Sequence, residues 1–189
     1  MWRLAFVLIF IPAWPAVATG LTVTFLDGSP QDLFIVENTS DCDLGQFELA
    51  IDLTSSRGGS YFDATPGGMG ASMSQPFAVA VGRSAIARVP DVADGDQVVR
   101  IPFYYLPRDF RVVFTADIDD QLPTGPMGET VVDGTELSGA TVSMTFFGVA
   151  PVTSTFGDSG RALIAVTGCQ VAQAASSRAM AWSVVSTRA

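Results

Sequence analysis

The sequence predicts an all-β fold, an antiparallel β-sandwich of roughly nine to eleven short strands of immunoglobulin or jelly-roll type. Apolar residues recur at every second position in segment after segment, and Gly-, Pro- and Asp-rich turn signals separate those segments at regular intervals. The clearest segment is FRVVFTADIDD, residues 110–120. Phe110, Val112, Phe114, Ala116 and Ile118 share one parity, so an extended strand places them on one face, towards a core. Arg111, Val113, Thr115, Asp117 and Asp119 share the other face, expected to be wet.

In chain order, Leu21–Leu26 alternates Thr with apolar residues and forms a first strand, closed by the turn Asp27-Gly28-Ser29-Pro30. Leu33–Glu37 is a second. Phe47, Leu49, Ile51 and Leu53 alternate with polar neighbours in a third. Residues 55–76 form a Gly-rich surface loop holding a short strand at Tyr61-Phe62; the segment has no Lys and does not match a phosphate-binding loop. Phe77–Val81 and Ser84–Val89 make a hairpin around Gly82-Arg83, and DVADGD at 91–96 is an acidic turn. Gln97–Tyr105 is a strand that Pro102 assigns to a sheet edge or bulge. Glu129–Val132 is a short strand, and Ala140–Phe147 alternates again. Gly157-Asp158-Ser159-Gly160 joins Val152–Phe156 to Arg161–Thr167 as a last hairpin.

Residues 1–18 read as a secretory signal: Arg3, an apolar run from Leu4 to Ile11, and the small-residue site Ala16-Val17-Ala18. The run is too short for the ~20 residues of a membrane span. The sandwich domain is expected over 19–170. The Ala- and Ser-rich tail, 171–189, suits a short helix or an edge strand equally well. An exported chain with two cysteines is expected to pair them, Cys42 with Cys169.

Of 189 residues, 48 % are hydrophobic and 15 % charged, a folding composition. There is no His, which excludes a Ser–His–Asp triad and removes the commonest general base and transition-metal ligand. The net charge of −9 argues against nucleic acid and against an anionic membrane surface.

The carboxylates ending FRVVFTADIDD are the candidate site. Asp117 and Asp119 stand at i, i+2, roughly 7 Å apart on a strand, with Asp120 next. Carboxylates at that spacing repel unless a cation or hydrogen-bond donors lie among them. Calcium takes several oxygen ligands at once, and Asp94, Asp96, Asp63 and Glu129 are the available partners. An EF-hand is excluded, because Leu122 stands where that loop needs glycine. The same pair, Asp117 or Asp119, allows an alternative reading as an extracellular carbohydrate-active hydrolase. Tyr61, Tyr104, Tyr105 and Trp182 allow another, a sugar-binding module.

Several stretches resemble a known family: FLDGSPQDLFIVEN at 25–38, CDLGQFELAIDL at 42–53, YFDATPGGMG at 61–70 and QPF at 75–77, PDVADGD at 90–96, FTADIDD at 114–120 and SGATV at 138–142. They are similar to exported alphaproteobacterial proteins called aggregation factor core proteins, after the calcium-dependent adhesion assemblies of sponges. The resemblance implies an exported adhesive β-domain with cation dependence, and it carries over no catalytic residues. The expected function is a non-catalytic adhesion or interaction module, secreted or periplasmic. Its expected partner is a protein or glycan on a cell surface, or a second copy of itself.

Overall fold

The computed structural model of the chain describes residues 20–28, 31–70, 74–122 and 131–166. Two antiparallel sheets pack face to face. The first has the order β11-β1-β2-β7-β5, built from Arg161–Ala165 (β11), Gly20–Leu26 (β1), Asp32–Asn38 (β2), Arg111–Ala116 (β7) and Ala78–Val81 (β5). The second has the order β10-β9-β3-β6, from Val152–Thr155 (β10), Thr141–Phe146 (β9), Phe47–Asp52 (β3) and Val98–Phe103 (β6). A two-stranded ribbon, Tyr61–Phe62 (β4) with Ile118–Asp119 (β8), lies beyond the end of β7.

The alternation in the sequence becomes the core. Leu21, Val23 and Phe25 of β1, Phe34 and Val36 of β2, and Val112 and Phe114 of β7 are buried on one inner face. They join Phe47, Leu49, Ile51, Val99, Ile101, Val142 and Met144 of the second sheet in a single apolar cluster. Strands of period two can bury only alternate residues, so this pattern fixes the register of both sheets. Pro102 sits on β6, the edge of its sheet, where no neighbouring strand needs its missing N–H.

Four local expectations are corrected. Phe77–Val81 and Ser84–Val89 do not form a hairpin: β5 pairs with β7, Arg83–Ala85 is a 3-10 turn, and Ile86 bridges to Phe103 in the other sheet. The small, alternating residues of 77–89 looked like two strands but serve a crossover between the sheets. Likewise β10 and β11 belong to different sheets, and the turn at 157–160 carries the chain from one layer to the other. Val131 and Val132, expected to end a strand, lie outside any strand, and Asp133 next to them caps a short helix, Gly134–Leu137 (α1), accepting from the N–H of Thr135 and Glu136 while Glu136 accepts from the Asp133 N–H. Finally, FRVVFTADIDD is not one strand. β7 ends at Ala116, and Asp117 separates it from β8, which leaves the sheet to pair with β4.

The predicted signal 1–18, the tail 171–189, Glu129, Cys169 and Trp182 lie outside the described residues.

A candidate cation site

The break at Asp117 sets the site. Asp32 pairs with Ala116 across β2 and β7, and its carboxylate accepts the Ile118 N–H at 2.8 Å and the Gly28 N–H at 3.0 Å. That side chain replaces the ladder bonds which β2 can no longer supply, and it turns β8 away from the sheet. β8 then pairs with β4, Tyr61 opposite Asp119 and Phe62 opposite Ile118. One residue further, the Asp63 N–H donates to the Asp117 carbonyl at 3.0 Å. The acidic turn before β6 closes the third side, with Phe62 donating to the Asp96 carbonyl and Gly95 to the Phe62 carbonyl.

These connections gather aspartates from three segments. Asp63, Asp117, Asp119 and Asp120 are all buried, at 3 %, 8 %, 1 % and 3 % exposure. The expectation that Asp117 and Asp119 face water is therefore corrected. Segment 61–70 folds over them, and its Met69 carbonyl accepts from the Tyr61 hydroxyl at 3.3 Å. A Cβ on Gly70 would stand 2.0 Å from Asp63 Oδ2 and 2.5 Å from Asp119 Oδ2, so only glycine lets the backbone approach both carboxylates.

The predicted partners divide. Asp94 joins the cluster from its rim: it accepts the N–H of Ala64, Thr65 and Met69, the last at 2.6 Å, and so shapes the loop that carries Gly70. Those donors hold its carboxyl below the usual range, that of Met69 first. The Asp96 carboxylate turns back to the Ala93 N–H and serves its own turn. Asp120 accepts the Leu122 N–H and packs beside Gly58, apart from Gly70. Asp63, which the sequence offered only as an auxiliary, is central. Asp32 was not singled out at all, since nothing in DLFIVEN distinguishes it from an ordinary strand-end acid.

The electrostatics follow from burial without counter-charge. Burial, then Asp119 and Asp63, pushes Asp117 up to about 7. Burial, then a hydrogen bond with Asp94 and the charge of Asp119, raises Asp63 to about 6. Asp32 is raised to about 7, by burial first and against the pull of its two N–H donors. The ion pairs of the described residues, Arg57–Asp158, Arg100–Glu48 and Arg108–Asp109, are exposed and engage other acids. Asp63 Oδ1 and Asp117 Oδ2 are buried with no hydrogen-bond partner. Among the described residues no group of three or more acidic or cysteine side chains is placed so as to hold a metal ion. The oxygen-only donors nevertheless suit a hard cation such as calcium, which completes its shell with carbonyls and water.

Of the predicted sugar platform, Tyr61 is buried, whereas Tyr104 and Tyr105 are exposed, with the Tyr105 hydroxyl donating to Asp43. The chain matches no protein-family model, no curated protein and no solved structure.

Proposed function

We propose that the chain is an exported, non-catalytic β-sandwich module for adhesion at or outside the cell surface, with calcium closing its acidic end. One observation carries this reading: Asp63 and Asp117 lie side by side, buried, each with an unpartnered oxygen and a carboxyl raised towards neutrality. Buried carboxylates without a cation must hold protons or bind metal. Asp63, Asp117 and Asp119 would supply carboxylate oxygens, and Asp94 would hold the loop over them. Calcium would supply positive charge that locks segments 61–70, 91–96 and 117–120 into one surface.

Burial of Asp117 and Asp119 also leaves them without the open cleft that a glycosidic bond requires, which favours the module over the hydrolase. The stretches resembling aggregation factor core proteins, and the signal-like residues 1–18, agree with export and adhesion.

Calorimetric titration with calcium tests the site. Wild type is expected to bind calcium and to melt at a higher temperature with it than in EDTA; Asp63→Asn/Asp117→Asn is expected to do neither. Identical behaviour of the two proteins overturns the reading.

A further inference from the structure

A second concave feature lies at the opposite end of the sandwich. The acidic cluster gathers where β6 begins, beside Asp96, whereas this groove opens where β6 ends, at Phe103 and Tyr104. It is an open groove of about 540 Å³, a size comparable to small-ligand sites. Behind it the core is aromatic: the buried Phe47 stacks on Phe103 with centroids 4.6 Å apart and planes 7° from parallel, and Phe146 tilts against Phe47 at 5.8 Å, so the strand ends that carry the rim are held firmly in place. The register explains the grouping, because Phe47 pairs with Phe103 on one side and with Phe146 on the other.

Two rings stand out of the rim. Phe147 is 71 % exposed and Tyr104 57 %. Neither is loose. Phe147 occupies the corner of a tight turn in which the Val149 N–H donates to the Phe146 carbonyl at 3.0 Å, with Gly148 at φ 71°. The Tyr104 N–H donates to the Ala85 carbonyl at 2.9 Å. Together with Ala87, Pro102 and Val149 of the lining the two rings form one exposed apolar patch, the kind of surface that marks a contact site, which an isolated ring does not.

The polar lining narrows what that is. Between the rings the groove presents Gln46, Glu48 and Thr145. Glu48 is the only lining side chain charged at neutral pH, and it pairs with Arg100 at 3.1 Å. With no cation in the lining and a net charge of −9, phosphates, sulfates and uronates are repelled. A neutral pyranose complements the groove. Its C–H faces stack on flat aromatic rings, and its hydroxyls both donate to Glu48 and accept from Gln46 and Thr145. We propose that this groove binds a neutral oligosaccharide between Tyr104 and Phe147, independently of calcium at the other end.

The full chain is to be titrated against neutral hexasaccharides (cellohexaose, xylohexaose, mannohexaose, maltohexaose and chitohexaose), with alginate and heparin as acidic comparators, in EDTA and in calcium. Binding of at least one neutral glycan is expected in both buffers. Phe147→Ala and Tyr104→Ala should each weaken it about tenfold, with melting temperatures unchanged because both rings are exposed. Glu48→Gln should weaken it less. The proposal is overturned if no neutral glycan binds, if only alginate or heparin binds, or if the ring variants bind as wild type does. Loss of the calcium response with glycan binding intact would count against the calcium reading alone.

Discussion

The backbone N–H of Asp63 donates to the carbonyl of Asp117 at 3.0 Å, and the two side chains that this bond brings together each keep a buried oxygen without a partner. A β-ladder bond is thus used to hold like charges in proximity, against their mutual repulsion and the cost of burial. Gly70 makes the arrangement possible by letting the covering loop lie against Asp63 and Asp119.

Gly70→Ala is therefore expected to abolish the calcium-induced rise in melting temperature, because the new Cβ meets Asp63 Oδ2 at 2.0 Å and Asp119 Oδ2 at 2.5 Å. Gly67→Ala is the matched control. That glycine has φ 75° but open space around it, so the substitution costs about 1 kcal/mol of backbone strain and leaves the calcium response intact. Thermal melts of both variants with and without calcium decide the matter; equal responses refute the role given to Gly70.

The raised carboxyls set a pH dependence in EDTA. Asp32 and Asp117 stand at about 7 and Asp63 at about 6, against about 3.9 in an unfolded chain. The folded state then binds more protons than the unfolded one between about pH 4 and pH 7, so stability falls as pH rises through that window. Asp94, Asp43 and Asp133, whose carboxyls are lowered, act in the opposite sense only below it. Urea midpoints in EDTA should be higher at about pH 5 than at about pH 8, and calcium should raise the midpoint more at the upper pH. A calcium-free midpoint that increases from pH 5 to pH 8 would contradict the burial of these groups. Asp32→Asn should flatten the slope, yet lose about 1–3 kcal/mol at acidic pH, since one of its two N–H donors is left without an acceptor.

Asn38 is the polar counterpart of the apolar core. It is fully buried; its Nδ2 donates to the Cys42 carbonyl at 2.7 Å and the Leu106 carbonyl at 3.0 Å, while its Oδ1 accepts from the Ser40 N–H and hydroxyl. One side chain thereby ties the end of β2 to the Cys42 loop and to the turn after β6. Asn38→Ala is expected to cost about 2–4 kcal/mol in urea denaturation, because several buried groups lose their partner together. Asn38→Asp should cost at least as much, since it turns a carboxylate towards two carbonyls. A loss below about 1 kcal/mol for either variant would mean that water takes over those bonds.

The strand assignments of β1, β2, β3, β6 and β9 were legible because each buries alternate residues against one core, and period two records that directly. Crossovers were not. Phe77–Val89 and Val152–Thr167 each contain two short apolar segments around a glycine turn, and the choice between pairing with one another and joining opposite sheets rests on distant strands. The site was half legible. The aspartates of 117–120 were visible as a cluster, but their burial depends on β8 leaving the sheet, which Asp32 arranges from the far side of β2. Gly70 carried a signal in the run PGGMG, although the sequence could not say which side chains its missing Cβ accommodates. The capping box Asp133-x-x-Glu136 was also present in the sequence, just past the segment read as a strand at 129–132.

The expected pairing of Cys42 with Cys169 yields the remaining prediction. Cys42 is buried at 7 % exposure, and its carbonyl is fixed by Asn38, so the backbone at one end of the expected pair is held by the core. β11 leads towards Cys169, which lies outside the described residues. A bond between the two closes a loop of well over a hundred residues, for which the chain-entropy model gives about 4–5 kcal/mol of stabilisation. Peptide mapping of unreduced protein should recover the fragments containing Cys42 and Cys169 as one linked species that separates on reduction. Reduction, or Cys42→Ser, should lower the urea midpoint by an amount consistent with several kcal/mol while leaving the β-sheet circular dichroism of the folded state unchanged. Two separately recovered thiol peptides would exclude the bridge, and the stability of the sandwich would then rest on its two-sheet core and the Asn38 network alone.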